Sequence, residues 1–272
     1  MEGLDCVKFL FQKGDWLVKF DLKDAYFLVP LSPECFKFFR FFWNDSMYEY
    51  LCLSFGLCST PRVFTKLLKP VVSFFREHGI RLVIYLDDIL IFNQSSSDLL
   101  KDLKLVMDVL TCLGFVINFE KSVLIPSQRL EYLGLLIDSI LLSLSLPPGK
   151  VDAISKLCLD SLGSGKSGRV SLRDLAKIMG NFSWAIPAVP FAQGHFRKLQ
   201  AFYISHSHGD LDKLVSLTPD ARADLLWWAS HLRLVNGKTF FPTNPDLVIF
   251  SDASLLGWGA VCEFHLRYPF TG

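Results

Sequence analysis

Leu82-Val83-Ile84-Tyr85-Leu86-Asp87-Asp88-Ile89-Leu90-Ile91-Phe92 sets two adjacent carboxylates inside an otherwise apolar run. The stretch from Arg81 to Phe92 reads as two strands joined at a tight turn. Strands this apolar must be largely buried. Two neighbouring carboxylates at the edge of a buried sheet repel each other and lose hydration, and each uncompensated buried charge costs several kcal/mol. A divalent cation is one natural compensation. An ordinary solvent-exposed Asp-Asp turn is the other reading.

Asp21 bears on that choice. It ends the predicted strand Trp16–Leu22, and if that strand lies beside the hairpin, Asp21 joins Asp87 and Asp88 in a three-carboxylate cluster. Oxygen donors of this kind suit hard cations, Mg²⁺ above all. Two such ions about 4 Å apart suit an in-line phosphoryl displacement. Asp24, three positions on, does not share the strand face of Asp21.

Working outward, Asp5–Gln12 reads as a short helix ended by Gly14, and Phe36–Trp43 with Met47–Leu53 as a hairpin around Asn44-Asp45-Ser46. Thr60 and Pro61 predict a helix start, followed at helical spacing by Val63, Phe64, Leu67, Leu68, Val71, Val72 and Phe75; Pro70 should bend this helix and Gly79 end it. Ser97 is expected to cap a second helix with Leu99, Leu100, Leu103, Val106, Met107, Leu110 and Leu113 inward. Phe115–Phe119 reads as a strand and Leu130–Ser145 as a hairpin turning near Asp138-Ser139. After Pro147-Pro148-Gly149 the pattern turns helical, over Lys150–Leu162, Ser171–Ala185, Phe191–Ser205 and Pro219–Val235; a strand, Leu247–Phe250, follows Phe241–Asp246. The expected fold is α+β, with boundaries near 146/147 and 236/237.

The 272 residues are 51% hydrophobic and carry a net charge of +1, which excludes a disordered tail. No signal peptide is visible, and both long apolar stretches are broken by charge: Leu82–Phe92 by Asp87 and Asp88, Leu130–Leu146 by Glu131 and Asp138. Seven scattered cysteines without a CxxC pair read as reduced thiols of an intracellular protein, cytoplasmic or nuclear, with no membrane partner. Residues 1–150 are net −1 and residues 151–272 net +2, with six basic residues between 160 and 200: Lys166, Arg169, Arg173, Lys177, Arg197 and Lys198. That run fits a solvated helix face or a phosphate-backbone contact.

Tyr85-Leu86-Asp87-Asp88 resembles the signature box of reverse transcriptases, and Phe20-Asp21-Leu22-Lys23-Asp24-Ala25-Tyr26-Phe27 their first metal-binding motif. Leu53 to Phe64 is similar to the motif between these two. Gly114-Phe115 through Asn118-Phe119-Glu120-Lys121, and then Glu131-Tyr132-Leu133-Gly134, resemble the next two in order. Among such elements the nearest resemblance is to Ngaro/DIRS-type retrotransposons.

The resemblance implies a right-hand polymerase palm with partial fingers over 1–146, a helical thumb and connection over 147–236, and, from 237, a linker and a truncated ribonuclease H-like start. It implies two Mg²⁺ ions, replaceable by Mn²⁺, on Asp21, Asp87 and Asp88. Tyr26 would be the gate against the 2′-hydroxyl; Phe55, Gly56 and Tyr85 would approach the nucleotide and template. Lys121 would stabilise or protonate the leaving pyrophosphate. Tyr132, Leu133 and Gly134 would form the primer grip, and Asp252, in Val248–Ala260, would be the first carboxylate of the nuclease. The implied partners are an RNA or DNA template with its primer and deoxynucleoside triphosphates. Only about 20 residues precede Asp21, where the family carries much of its fingers, so impaired activity is expected of the chain as it stands. A non-catalytic nucleic-acid-binding remnant and an RNA-dependent RNA polymerase are the competing readings.

Two other patterns fail. Gly163-Ser164-Gly165-Lys166-Ser167 lacks the P-loop's first glycine, because Asp160 occupies that position, and reads as a flexible linker. His206 and His208 have no partners at zinc spacing.

Overall fold

The computed structural model describes residues 2–163, 169–207, 210–241 and 247–262, with the backbone of 270 and 271. The linker reading over 164–167, His208 and the stretch 242–246 lie outside the described residues. Residues up to Thr239 form one compact unit and residues 240–272 a second.

In chain order the first unit begins with α1 (Leu4–Leu10), β1 (Trp16–Lys23), a short 3-10 helix (Ala25–Leu28) and a second one (Pro33–Phe38). A hairpin follows, β2 (Arg40–Trp43) and β3 (Ser46–Glu49), and then α2 (Thr60–Glu77), β4 (Arg81–Tyr85), β5 (Asp88–Asn93), α3 (Ser96–Cys112) and β6 (Val116–Ser127). Strands β4, β5, β1 and β6 lie in that order in an antiparallel sheet. Period-two alternation divides it. Val18, Phe20 and Leu22 of β1, with Leu82, Ile84, Ile89 and Ile91, join one core with Phe64, Leu68 and Phe75 of α2 and Leu99, Leu103, Val106 and Leu110 of α3. Leu17, Lys19 and Asp21 alternate with them and so take the opposite face.

The helix starts differ from expectation. Ser59, not Thr60, precedes α2, and the Thr60 hydroxyl donates to the Ser54 carbonyl at 3.0 Å. Ser95, not Ser97, caps α3, accepting from the Asp98 amide at 3.3 Å. Val63 and Leu67 of α2, and Leu100 and Leu113 at α3, are exposed, so the buried stripes are narrower than the apolar periodicity implied. Phe36–Phe38 belongs to the second 3-10 helix, which opens at Pro33, and the hairpin turns on Asn44 and Asp45, both at positive φ.

Further along, β7 (Arg129–Tyr132), β8 (Leu135–Asp138) and β9 (Ser143–Ser145) form a three-strand meander, not the single hairpin expected over Leu130–Ser145. The extra turn is Leu133-Gly134, both at positive φ. A Cβ on Gly134 would lie 2.8 Å from the Trp184 ring, so glycine is required there twice over.

The rest of the unit is helical: α4 (Pro148–Gly163), β10 (Arg169–Ser171), α5 (Leu172–Ala185), α6 (Arg197–His206), β11 (Leu214–Ser216), α7 (Pro219–Val235) and the short β12 (Lys238–Thr239), which adds to β9. Strands β10 and β11 pair with each other, a feature absent from the sequence reading. The helix expected from Phe191 starts only at Arg197, after a 3-10 turn. Trp228 of α7 stacks on Phe182 at 4.0 Å and donates to the His195 carbonyl at 3.0 Å, and buried Asp224 accepts from the Leu199 amide at 2.9 Å. In the second unit β13 (Ile249–Ala253), β14 (Trp258–Cys262) and β15 (Phe270–Thr271) form an antiparallel sheet in that order. Among the described residues no helix is long and apolar enough to cross a membrane.

Candidate active site

The site is built where β1, β5 and β6 meet. Antiparallel pairing sets Asp21 directly opposite Asp88, and Tyr85 opposite Asp88 across the β4–β5 hairpin. Opposed residues in such a pair have Cα atoms about 4.5–5.5 Å apart. Residues 66 positions apart in the chain, Asp21 and Asp87, are therefore neighbours. The Leu22 amide donates to the Asp87 carbonyl at 2.9 Å, tying the hairpin turn to the end of β1.

That turn holds strain. Leu86 sits at φ +58°, a left-handed conformation in which a non-glycine residue costs about 1–2 kcal/mol. Such strain persists where surrounding structure over-determines it, commonly at functional sites. Nothing in the residue type of Leu86 announced it.

Burial pushes the carboxyls of Asp87 and Asp88 above the ordinary range. For Asp87, Asp21 adds to the rise while its own backbone hydrogen bond and Lys121 oppose it. For Asp88, Asp87 and Asp21 add, while Lys19 and Lys121 oppose. The Asp21 carboxylate accepts the Asn118 side-chain amide at 2.8 Å.

These are hard oxygen donors that repel one another, a set suited to Mg²⁺ or Mn²⁺. Their side chains do not converge as they stand: among the described residues no three His, Cys, Asp or Glu side chains are placed to hold one metal ion. The backbone gathers the donors, and side-chain rotation would have to complete the site.

Tyr26, in the first 3-10 helix, is nearly buried, with its ring 5.1 Å from Phe64 and 5.2 Å from Phe55. Burial, then Asp87 and Tyr85, push its hydroxyl upward, which places it within the field of the carboxylates. Phe55 is exposed, and Gly56 beside it turns at φ +88°. Asp24 stands outside the cluster, exposed and left-handed, at the start of that 3-10 helix. Lys121 is exposed on a bulge of β6, and its field reaches both Asp87 and Asp88.

Tyr132 is fully buried, and its hydroxyl donates to the Asp88 carbonyl at 3.3 Å. Its burial pushes the phenol strongly upward. Leu133 and Gly134 form the partly exposed turn beside it. In the second unit Asp252 is exposed on β13. Of the basic run, Arg173 is paired with Asp212 at 2.7 Å and Lys198 with Asp220 at 3.0 Å, so charge counting overstates the positive field.

Sequence reasoning missed Lys19, Asn118 and Ser122. Asn118 carried a signal: a polar residue interrupting Phe115-Val116-Ile117. Lys19 and Ser122 carried none.

Residues 5–137 match the family model for the reverse transcriptase (RNA-dependent DNA polymerase). Residues 5–137 are a reverse transcriptase domain. It is of the retroelement and retroviral Pol type. Similar proteins include polyprotein P3 of Commelina yellow mottle virus, 23% identical over 255 residues, which are 91% of this chain and 12% of that protein. The retrovirus-related Pol polyprotein from transposon opus of Drosophila melanogaster is 29% identical over 138 residues, half of this chain and 13% of that protein. The chain thus spans about an eighth of the length of these curated relatives. The reverse transcriptase fold extends beyond the matched domain. A foamy viral protease-reverse transcriptase in complex with double-stranded DNA superposes with a TM-score of 0.70 at 19% identity, covering 96% of this chain and 43% of that one. Another, in complex with an RNA/DNA hybrid, gives 0.69 at 20% identity, covering 97% and 34%.

Proposed function

We propose that this chain performs RNA-directed DNA synthesis: it transfers a deoxynucleotide from a deoxynucleoside triphosphate to the 3′-hydroxyl of a primer paired with an RNA or DNA template. One observation carries the reading. A single antiparallel sheet gathers Asp21, Asp87 and Asp88, with the Lys121 ammonium within their field, in a reverse transcriptase domain. Among retroelements we place it with the Ngaro/DIRS type, on the motif resemblance alone.

Asp21, Asp87 and Asp88 are the residues to hold Mg²⁺ or Mn²⁺. When bound, the ions supply charge stabilisation at the attacking and leaving oxygens. The chain's own residues do the positioning. Tyr85 and the strained Leu86 aim Asp87 and Asp88, and Tyr132 anchors the Asp88 backbone from below. That makes the Tyr132 part in the primer grip a supporting one, with the partly exposed turn at Leu133-Gly134 left to meet the primer. Lys121 offers a proton or a charge to the departing pyrophosphate. Tyr26, backed by Phe64 and flanked by Phe55, presents a ring to the incoming sugar, and Gly56 leaves room for the nucleotide. Residues 1–146 act as palm with part of the fingers and 147–236 as thumb and connection holding the duplex. From 237 a linker leads to a ribonuclease H-like start, in which Asp252 on β13 is the first carboxylate.

Primer extension by the chain on an RNA template, with Mg²⁺ and then Mn²⁺, tests this reading. Extension with deoxynucleotides that is lost in Asp88→Asn supports it. A gel shift without any extension would assign the chain as a nucleic-acid-binding remnant.

A further inference from the structure

Strand β6 does more than supply Lys121. Between Lys19 and Asp21, β1 advances two residues while its partner positions on β6 run from Val123 to Asn118, five residues. The surplus is a bulge over Phe119–Ser122. Bulges of this kind re-aim side chains beside active sites. Ser122 closes the bulge: its hydroxyl donates to the Asn118 carbonyl at 2.6 Å and accepts from the Asp21 amide at 3.2 Å. Asn118, directly opposite Asp21, donates its side-chain amide to Oδ1 of the Asp21 carboxylate at 2.8 Å. Asp21 is therefore held at two atoms, backbone N–H and one carboxylate oxygen, by the same short loop that carries Lys121.

We propose that Asn118, braced by Ser122, is a positioning residue that fixes the Asp21 carboxylate for cation binding; this rests on the reading of Asp21 as a metal ligand. The chemistry of the donor matters. An amide makes a charge-assisted bond to the carboxylate yet brings no positive charge of its own. It orients one oxygen while leaving the carboxylate's full negative charge for a cation, which a lysine or arginine at 118 would neutralise. Asp87 lies on the strained two-residue turn with Leu86, and Asp88 opens β5 directly after it, whereas Asp21 lies within a strand whose edge partner is bulged. The clamp is what keeps that end of the site in a defined orientation. Groups that hydrogen-bond a metal ligand from behind commonly govern metal affinity or activity by about 10–100-fold.

The test is Mn²⁺ titration of the whole chain, read by water-proton relaxation, for wild type, Asp21→Asn, Asn118→Leu and Ser122→Ala. Leucine keeps the size of asparagine and removes the donor. Asn118→Leu should weaken Mn²⁺ binding by about 10–100-fold. It should also raise the Mg²⁺ concentration needed for half-maximal primer extension, with primer-template affinity unchanged. Ser122→Ala should move both in the same direction by a smaller factor, and it carries the test if Asn118→Leu does not fold by thermal melting. If Asp21→Asn loses Mn²⁺ binding while folded Asn118→Leu and Ser122→Ala bind as wild type, the positioning role is overturned and the metal reading stands. If Asp21→Asn binds Mn²⁺ as wild type does, the metal reading falls and takes the positioning role with it.

Discussion

Asp15→Ala should cost the chain about 3 kcal/mol of stability, because it removes one partner of a buried ion pair. Asp15 is fully buried immediately before β1. Its two oxygens accept from Arg81 at 2.7 and 2.8 Å, from the Gln12 amide at 2.8 Å and from the Gln94 side chain. Arg81 opens β4, donates to the Leu10 carbonyl at 3.0 Å and lies over the Phe92 ring. The network therefore pins α1, β1, β4 and β5 together at the end of the sheet opposite the carboxylates. Breaking such a pair costs about 3–5 kcal/mol. The Arg81 side chain keeps 24% of its surface in water, which points to the lower end. Against a typical total of about 5–15 kcal/mol, that is a large fraction. With a urea slope of about 3 kcal/mol/M, the unfolding midpoint should fall by about 1 M. Tryptophan fluorescence is a suited probe, since Trp16 adjoins Asp15. Replacing both partners, as Asp15→Leu with Arg81→Met, should recover most of the loss. A midpoint shift below about 0.3 M for Asp15→Ala, at that slope, would show that the pair is not a buried, stabilising one, as would strict additivity in the double variant.

Asp88→Asn should raise the melting temperature of the metal-free chain at neutral pH. Its carboxyl is pushed upward in the folded state, so the stability this group contributes is complete at low pH and is lost as pH rises through the raised value. The gain should shrink as pH falls below the carboxylate range; a gain that persists there would contradict the electrostatic cause. Gly134→Ala should lower stability by about 1–3 kcal/mol in thermal melting, from its φ of +78° and the Trp184 ring 2.8 Å from the new methyl. Tyr26→Val should raise ribonucleotide incorporation more than it lowers deoxynucleotide incorporation, and an unchanged ratio would make Tyr26 core filler only.

The elements that present the site were legible where burial and chain pattern agree. The apolar run around Asp87 and Asp88 reads as strand-turn-strand, and residues 18–23 alternate inward and outward as a sheet strand must. The site was less legible where function bends the pattern. β6 reads as a strand only to Phe119, because Glu120-Lys121-Ser122 breaks the alternation; the structure continues it to Ser127 through the bulge that carries Lys121. Leu133 reads as strand and is a left-handed turn residue, beside Gly134, whose own backbone lies close against the Trp184 ring. Ser95 and Ser97 are equally good caps by residue type alone, but only Ser95 has an acidic residue three positions on, Asp98, and it is Ser95 that accepts the Asp98 amide. Exposed Phe38, Phe42 and Trp43 show why apolar counts alone misjudge the core.

The proposed chemistry depends on Asp21, Asp87 and Asp88 forming one cation site. Anomalous diffraction from crystals of the chain grown with Mn²⁺ tests it most directly. A peak is expected about 2.0–2.2 Å from carboxylate oxygens of Asp21 and Asp88, with Asp87 turned toward it. Bound Mn²⁺ elsewhere on the chain, with no peak near either carboxylate, would contradict it.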